Sequence, residues 1–136
     1  MSPTAVALLG FVAWTLLILM SLGAFRSAIV MNGKRAANSF NPSGADLEGF
    51  GQRLTRVHAN CYESLPIAGA VLLYAIATNQ TALTDPLAYL FLAARIAQSA
   101  VHMISTSNLF VFIRFGFFGV QLAVLSWWLV KLSGLV

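Results

Sequence analysis

Four apolar stretches, Val6–Phe25, Leu65–Ala77, Leu87–Val101 and Leu109–Leu132, occupy most of this 136-residue chain. With flanking residues, each reaches the roughly 20 residues a helix needs to cross the hydrocarbon of a bilayer. Only helices or closed barrels satisfy every backbone polar group in lipid, and uninterrupted apolar runs do not alternate as barrel strands do. The expected fold is therefore all-α, an integral membrane four-helix bundle in which residues 1–136 form a single domain. Composition agrees. Charged residues make up 9% of the chain, against about 25% in a soluble domain, so the surface cannot face water throughout.

The charges that remain are unevenly placed. Arg26, Lys34, Arg35, Arg53 and Arg56 flank the first connection, whereas Asn79–Asp85 after the second helix carries no basic residue. Basic loops stay cytoplasmic, which predicts both termini outside and the Met31–Gly49 loop inside. The N-terminus has no basic residue before Arg26, and its apolar run exceeds the usual 7–15-residue signal core, so the first helix is expected to be retained. The net charge of +4 follows from this bias, and no basic run suggests nucleic acid as a partner.

Punctuation in the sequence suggests where helices begin. Pro42-Ser43-Gly44 is turn chemistry, which leaves Asp46 as an N-cap for a second helix starting near Leu47. Asp85-Pro86 reads as the cap and first position of the third helix, and Pro66 should kink the second. Ser105–Asn108 separates the third and fourth helices. Trp127, Trp128 and Lys131 read as an interfacial anchor. The lone Cys61 excludes an intrachain disulfide and reads as a small packing residue. Asn79-Gln80-Thr81 matches a glycosylation sequon by spacing alone.

Polar residues then align where lipid-facing residues would be expected. At about 100° per residue, Arg53, Arg56, Asn60 and Glu63 fall within one quadrant, continued by Ile67 and Tyr74, while His58 points the opposite way. Arg95, Gln98, Ser99 and His102 share one face of the third helix. Arg114 opens the fourth, with Gln121 two turns deeper. A charge inside a span costs at least about 2.5 kcal/mol, so these stripes must face one another or a wet cavity. Arg95 needs a partner, and Glu63 is the only acid along a neighbouring span; an Arg95–Glu63 ion pair is expected. Arg26, Arg53, Arg56 and Arg114, with Asn60, Gln98 and His102, would form a cationic pocket for a small carboxylate-bearing anion, because arginine offers bidentate contacts. The alternative for the arginines near the helix ends is snorkelling to lipid phosphates. Two histidines without a third ligand do not make a metal site.

The run Arg56-Val57-His58-Ala59-Asn60-Cys61-Tyr62-Glu63-Ser64-Leu65-Pro66 resembles the second-helix signature R-x-H-x-N-x-x-E-x-x-P of the MAPEG family, the membrane-associated proteins of eicosanoid and glutathione metabolism. The four-helix layout, the chain length and Arg95 match as well. The resemblance implies a homotrimer with sites between subunits near the cytosolic face, each binding glutathione in a bent conformation. It implies that Arg56, Asn60 and Glu63 contact glutathione, with Gln98 and His102 at further contact positions. Arg114 would hold the sulfur as a thiolate, the catalytic role, and Arg26, Lys34 or Arg35 would supply a first-helix contact. Where relatives often carry a hydroxyl beyond the fourth-helix arginine, this chain has Phe115, Phe117 and Phe118.

The function so implied is a glutathione-dependent membrane transferase or peroxidase acting on a hydrophobic, lipid-like acceptor, with glutathione or another small thiol as co-substrate and no metal. A non-catalytic lipid-binding or scaffold protein of the same fold is the alternative. A small four-helix multidrug exporter would need a membrane-embedded acid as its proton site; the first helix has none.

Overall fold

The computed structural model describes residues 1–136 and contains four helices and no strands: α1 (Pro3–Met31), α2 (Gly49–Ala77), α3 (Thr81–Ile104) and α4 (Asn108–Leu132). All four are long and apolar enough to cross a membrane. At 1.5 Å per residue, the 29 residues of α1 and of α2 span about 43 Å, more than the roughly 30 Å of hydrocarbon. Their ends therefore extend beyond it. The connections α2–α3 and α3–α4 are only three residues each, Thr78–Gln80 and Ser105–Ser107, while α1 and α2 are joined by the longer Asn32–Glu48 loop. The bundle thus has a loop end, carrying that loop and Ser105–Ser107, and a terminal end, carrying both chain termini.

Packing is unequal. Helix α3 touches all three others, α1 lies against α2 and α3, α2 meets α4 only lightly, and α1 and α4 do not meet. That leaves a groove between α2 and α4. The core beside α3 is built on an aromatic ladder: Phe11 lies edge-on to Phe91 at 6.0 Å, and Phe91 lies 5.4 Å from Trp128. Large rings at these separations attract beyond their buried area. Trp128 is therefore a core residue with no exposed surface, which overturns the anchor expectation for it; Trp127 is exposed, with the Lys131 ammonium 4.8 Å from its ring centre. Cys61 is fully buried in the same core, in keeping with a packing role.

Two of the helix starts differ from those expected. Helix α2 begins at Gly49 with Glu48 at the cap position; Asp46 instead accepts the Asn41 N–H at 3.1 Å and pairs with Arg35 at 2.6 Å. The carboxylate has a better offer within the loop than at the helix. Desolvation opposes ionisation of Asp46, but the Asn41 N–H and the Arg35 guanidinium outweigh it and hold its pKa below the ordinary 3.8. Helix α3 begins at Thr81 and runs through Pro86. Asp85 reaches across to α1, accepting the Thr4 N–H at 2.9 Å and the Thr4 hydroxyl at 2.5 Å. Because Thr4 stands in the first turn of α1, this carboxylate caps a helix other than its own. The Thr4 and Thr84 hydroxyls are 2.6 Å apart beside it. The α2 helix is likewise continuous through Pro66.

Candidate functional site

The loop-end mouth of the α2–α4 groove is a cavity of about 430 Å³, within the usual range for small-molecule sites. Its polar wall is Arg56 and Asn60 from α2, Gln98 and His102 from α3, Thr106 from the α3–α4 connection and Arg114 from α4. Val111, Phe115 and Phe118 line the other side. Arg56 and Asn60 stand four residues apart, as do Gln98 and His102, so each pair occupies one helix face. The antiparallel arrangement of neighbouring helices then brings the four together with Arg114. Five of the residues selected from the sequence therefore share one space.

The site is partly preorganised. Gln98 and His102 are nearly buried, and the Gln121 amide donates to the Gln98 carbonyl oxygen at 2.8 Å and to the Phe117 carbonyl at 3.0 Å. These bonds hold the Gln98 side chain in place at the cavity wall. Arg53, expected among the contacts, is occupied elsewhere: its Nε donates to the Met103 carbonyl at 2.8 Å. It fastens the start of α2 to the last turn of α3, where carbonyls lack intrahelical donors. Arg26 also lies off this cavity, lining a separate one with Phe40. His58 faces away and packs edge-on against Tyr62 at 5.2 Å.

Deeper in the groove, an inner chamber of about 210 Å³ shares Asn60 and Phe118 with the outer cavity. Glu63, Arg95 and Gln121 border it, with Ile67, Leu122 and Leu125 as its apolar wall. The expected Glu63–Arg95 ion pair is not formed, since Arg35–Asp46 is the only ion pair within 4.0 Å in the chain. Arg95 is 2% exposed and leans towards α1, its guanidinium 5.0 Å from the centre of the Phe11 ring. A desolvated cation over an aromatic face gains about 2 kcal/mol. Glu63 stays exposed on the outer rim of α2. Both therefore border the chamber without meeting across it. No group of three or more histidine, cysteine, aspartate or glutamate side chains is placed to hold a metal.

Thr106 was not among the residues singled out from the sequence. Phenylalanines stand beyond Arg114, where a hydroxyl is expected, whereas Thr106 precedes it in a short connection with no periodic signal. It brings a hydroxyl-bearing side chain to the cavity lining, a residue type the fourth-helix wall lacks. The combination is two guanidiniums, two amides, an imidazole and a hydroxyl beside exposed aromatic rings. It can bind a small polar anion and present it to an apolar reactant lying against α4.

Comparison with known proteins gives one match. The MAPEG family model covers residues 4–133, whereas no curated protein and no solved structure is matched.

Proposed function

The chain belongs to the MAPEG family, a family of four-helix membrane bundles that includes glutathione transferases and peroxidases, and on that premise we propose that it is a glutathione-dependent transferase or peroxidase. The observation that carries this reading is the 430 Å³ cavity shared by Arg56, Asn60, Gln98, His102 and Arg114. Arg56 binds a carboxylate of the tripeptide through its planar fork. Asn60, Gln98 and His102 supply neutral hydrogen bonds, and Glu63, which borders the adjoining inner chamber, takes the free amino group.

Arg114 faces the sulfur. A guanidinium beside a thiol favours the thiolate and lowers its pKa by about 1–3 units. The thiol proton passes to water, and the sulfur becomes the nucleophile. In transfer, a sulfur–carbon bond forms as the acceptor's leaving group departs with the bonding pair. In peroxide reduction, the sulfur takes one peroxide oxygen to become a sulfenate while the other leaves as alcohol; a second thiol then releases water and forms a disulfide. The acceptor reaches the cavity along the apolar side formed by Phe115 and Phe118. The functional unit is a homotrimer, with the site on the cytoplasmic side and both termini outside.

Bound glutathione titrated by its thiolate absorbance tests this, in a Cys61→Ala background to remove the protein's own thiol. The bound thiol should ionise well below the roughly 8.5 of an ordinary cysteine, and Arg114→Ala should return it towards that value. An unchanged titration in Arg114→Ala removes the catalytic assignment. The second reading, a non-catalytic lipid-binding protein, is favoured by the apolar wall of the inner chamber, Ile67, Leu122 and Leu125. Copurifying lipid without any thiolate signal would establish it.

A further inference from the structure

Gln121 stands on α4 seven residues beyond Arg114, about two turns deeper on the same helix face. It is 1% exposed, and Gln98 on α3 is 5% exposed. One nitrogen of Gln121 makes two bonds, to the Phe117 carbonyl at 3.0 Å and to the Gln98 side-chain oxygen at 2.8 Å. Both bonds lie inside one chain and are sealed by its own helices, so assembly with further copies leaves them as they are.

Which end of each amide points where follows from what a backbone carbonyl can do. The Phe117 carbonyl only accepts, so the Gln121 prong that touches it is the nitrogen. That nitrogen carries a second N–H towards Gln98, which must then answer with its oxygen. A carboxamide has two prongs on one carbon. With the oxygen of Gln98 turned to Gln121, its nitrogen is the prong left for the cavity that Gln98 lines with Arg56 and Arg114. Stability alone does not call for a glutamine at this position. The Gln121 Oε1 stays buried without a partner, whereas methionine would fill a similar volume and strand no acceptor. What the glutamine adds is its pair of donors.

We propose that Gln121 is a positioning residue that locks the Gln98 amide with its nitrogen facing the cavity, so that Gln98 donates to an oxygen of the bound anion and does not accept from it. The inference rests on the proposed reading of that cavity as the glutathione site. Gln98 then selects a carbonyl or carboxylate oxygen at its place in the ligand. A ligand with an N–H or ammonium there would set donor against donor and leave both unpaired. Arg56 and Arg114 make the same choice, since a guanidinium has no acceptor. An amide free to rotate would offer either end and would have to be ordered on binding; the Gln121 bond removes that loss.

The test begins with the full chain in nanodiscs, its glutamines isotope-labelled for magnetic resonance. Gln52, Gln80, Gln98 and Gln121 give only four side-chain amides to assign. Without ligand, both Gln121 side-chain hydrogens should exchange slowly with water. Those of Gln98 should exchange faster and slow down when glutathione is added. Calorimetry then measures glutathione affinity in a double-mutant cycle. Gln98→Met should weaken binding about tenfold and Gln121→Met about threefold, within the worth of a neutral hydrogen bond. The double variant should be no weaker than Gln98→Met, because a residue acting through Gln98 has nothing left to position. Losses that multiply in the double variant would make Gln121 an independent packing residue and overturn the inference. Unchanged affinity in Gln121→Met overturns it too, as does slow exchange at Gln98 with fast exchange at Gln121. If Gln121→Met does not fold, Gln98→Glu takes its place: it still accepts from Gln121 but cannot donate, so wild-type affinity there overturns the inference. The expected exchange pattern in a wild type that binds no glutathione would remove the glutathione reading and leave the amide lock standing. Binding with the reversed pattern would do the opposite.

Discussion

Asp85 offers a sharp test of how the bundle is held at its terminal end. Its Oδ1 accepts both the backbone N–H and the hydroxyl of Thr4, so Asp85→Ala removes two hydrogen bonds to a charged acceptor. Each is worth about 1.5–3 kcal/mol when fully formed, and a carboxylate near the start of a helix adds about 0.3–1 kcal/mol through the dipole. Two features reduce the sum. The carboxylate is only half-buried, and the freed Thr4 hydroxyl can turn to Thr84, 2.6 Å away. The expected loss is about 2–3 kcal/mol, at least roughly thirtyfold in the folding constant. Asp85→Asn keeps an acceptor and loses the charge, so it should cost about 1 kcal/mol. Unfolding free energies from steric trapping in bicelles would measure both, and hydrogen exchange would locate the change. The amides of Thr4, Ala5 and Val6 should exchange faster in Asp85→Ala. If exchange instead rises at Ala82 and Leu83, or stability is unchanged, Asp85 caps its own helix and the α1–α3 clasp is refuted.

Other outcomes follow from the same geometry. Arg56→Ala should weaken glutathione binding about tenfold or more, the loss of one charge-assisted contact, measured by calorimetry; unchanged affinity would remove Arg56 from the site. Asn38→Cys should react with impermeant reagents only from the cytoplasmic side, and labelling from outside would invert the topology. Native mass spectrometry in detergent should show three chains, and a monomer that still binds glutathione would exclude a site shared between subunits. The folded pKa of Asp46 is lowered, so its contribution to the loop is complete above the ordinary 3.8 and is lost as pH falls through the folded value. Hydrogen exchange at Asn41 and Ser43 should therefore accelerate only on strong acidification.

Much of the architecture is legible in the chain itself. Apolar runs of spanning length permit little besides helices once the backbone must bond internally, and periodicity puts Arg56 and Asn60 on one helix face and Gln98 and His102 on another. Those pairs meet at one cavity because neighbouring helices run antiparallel, which short connections already require. Choices among competing partners were not legible. Asp46 and Asp85 each have the residue type and position of a helix cap, yet Asp46 bonds the Arg35 loop and Asp85 bonds Thr4, 81 residues away. A cap signal is local, and a distant donor of higher charge or better geometry outbids it. Arg95 likewise takes the Phe11 ring rather than Glu63, because only the packing of α1 against α3 brings that ring beneath it. Arg53 goes to the Met103 carbonyl, since the end of α3 lies within its reach. Sequence spacing determines which face a polar side chain shares; the packed tertiary structure decides which of several suitable partners is near enough to bind it.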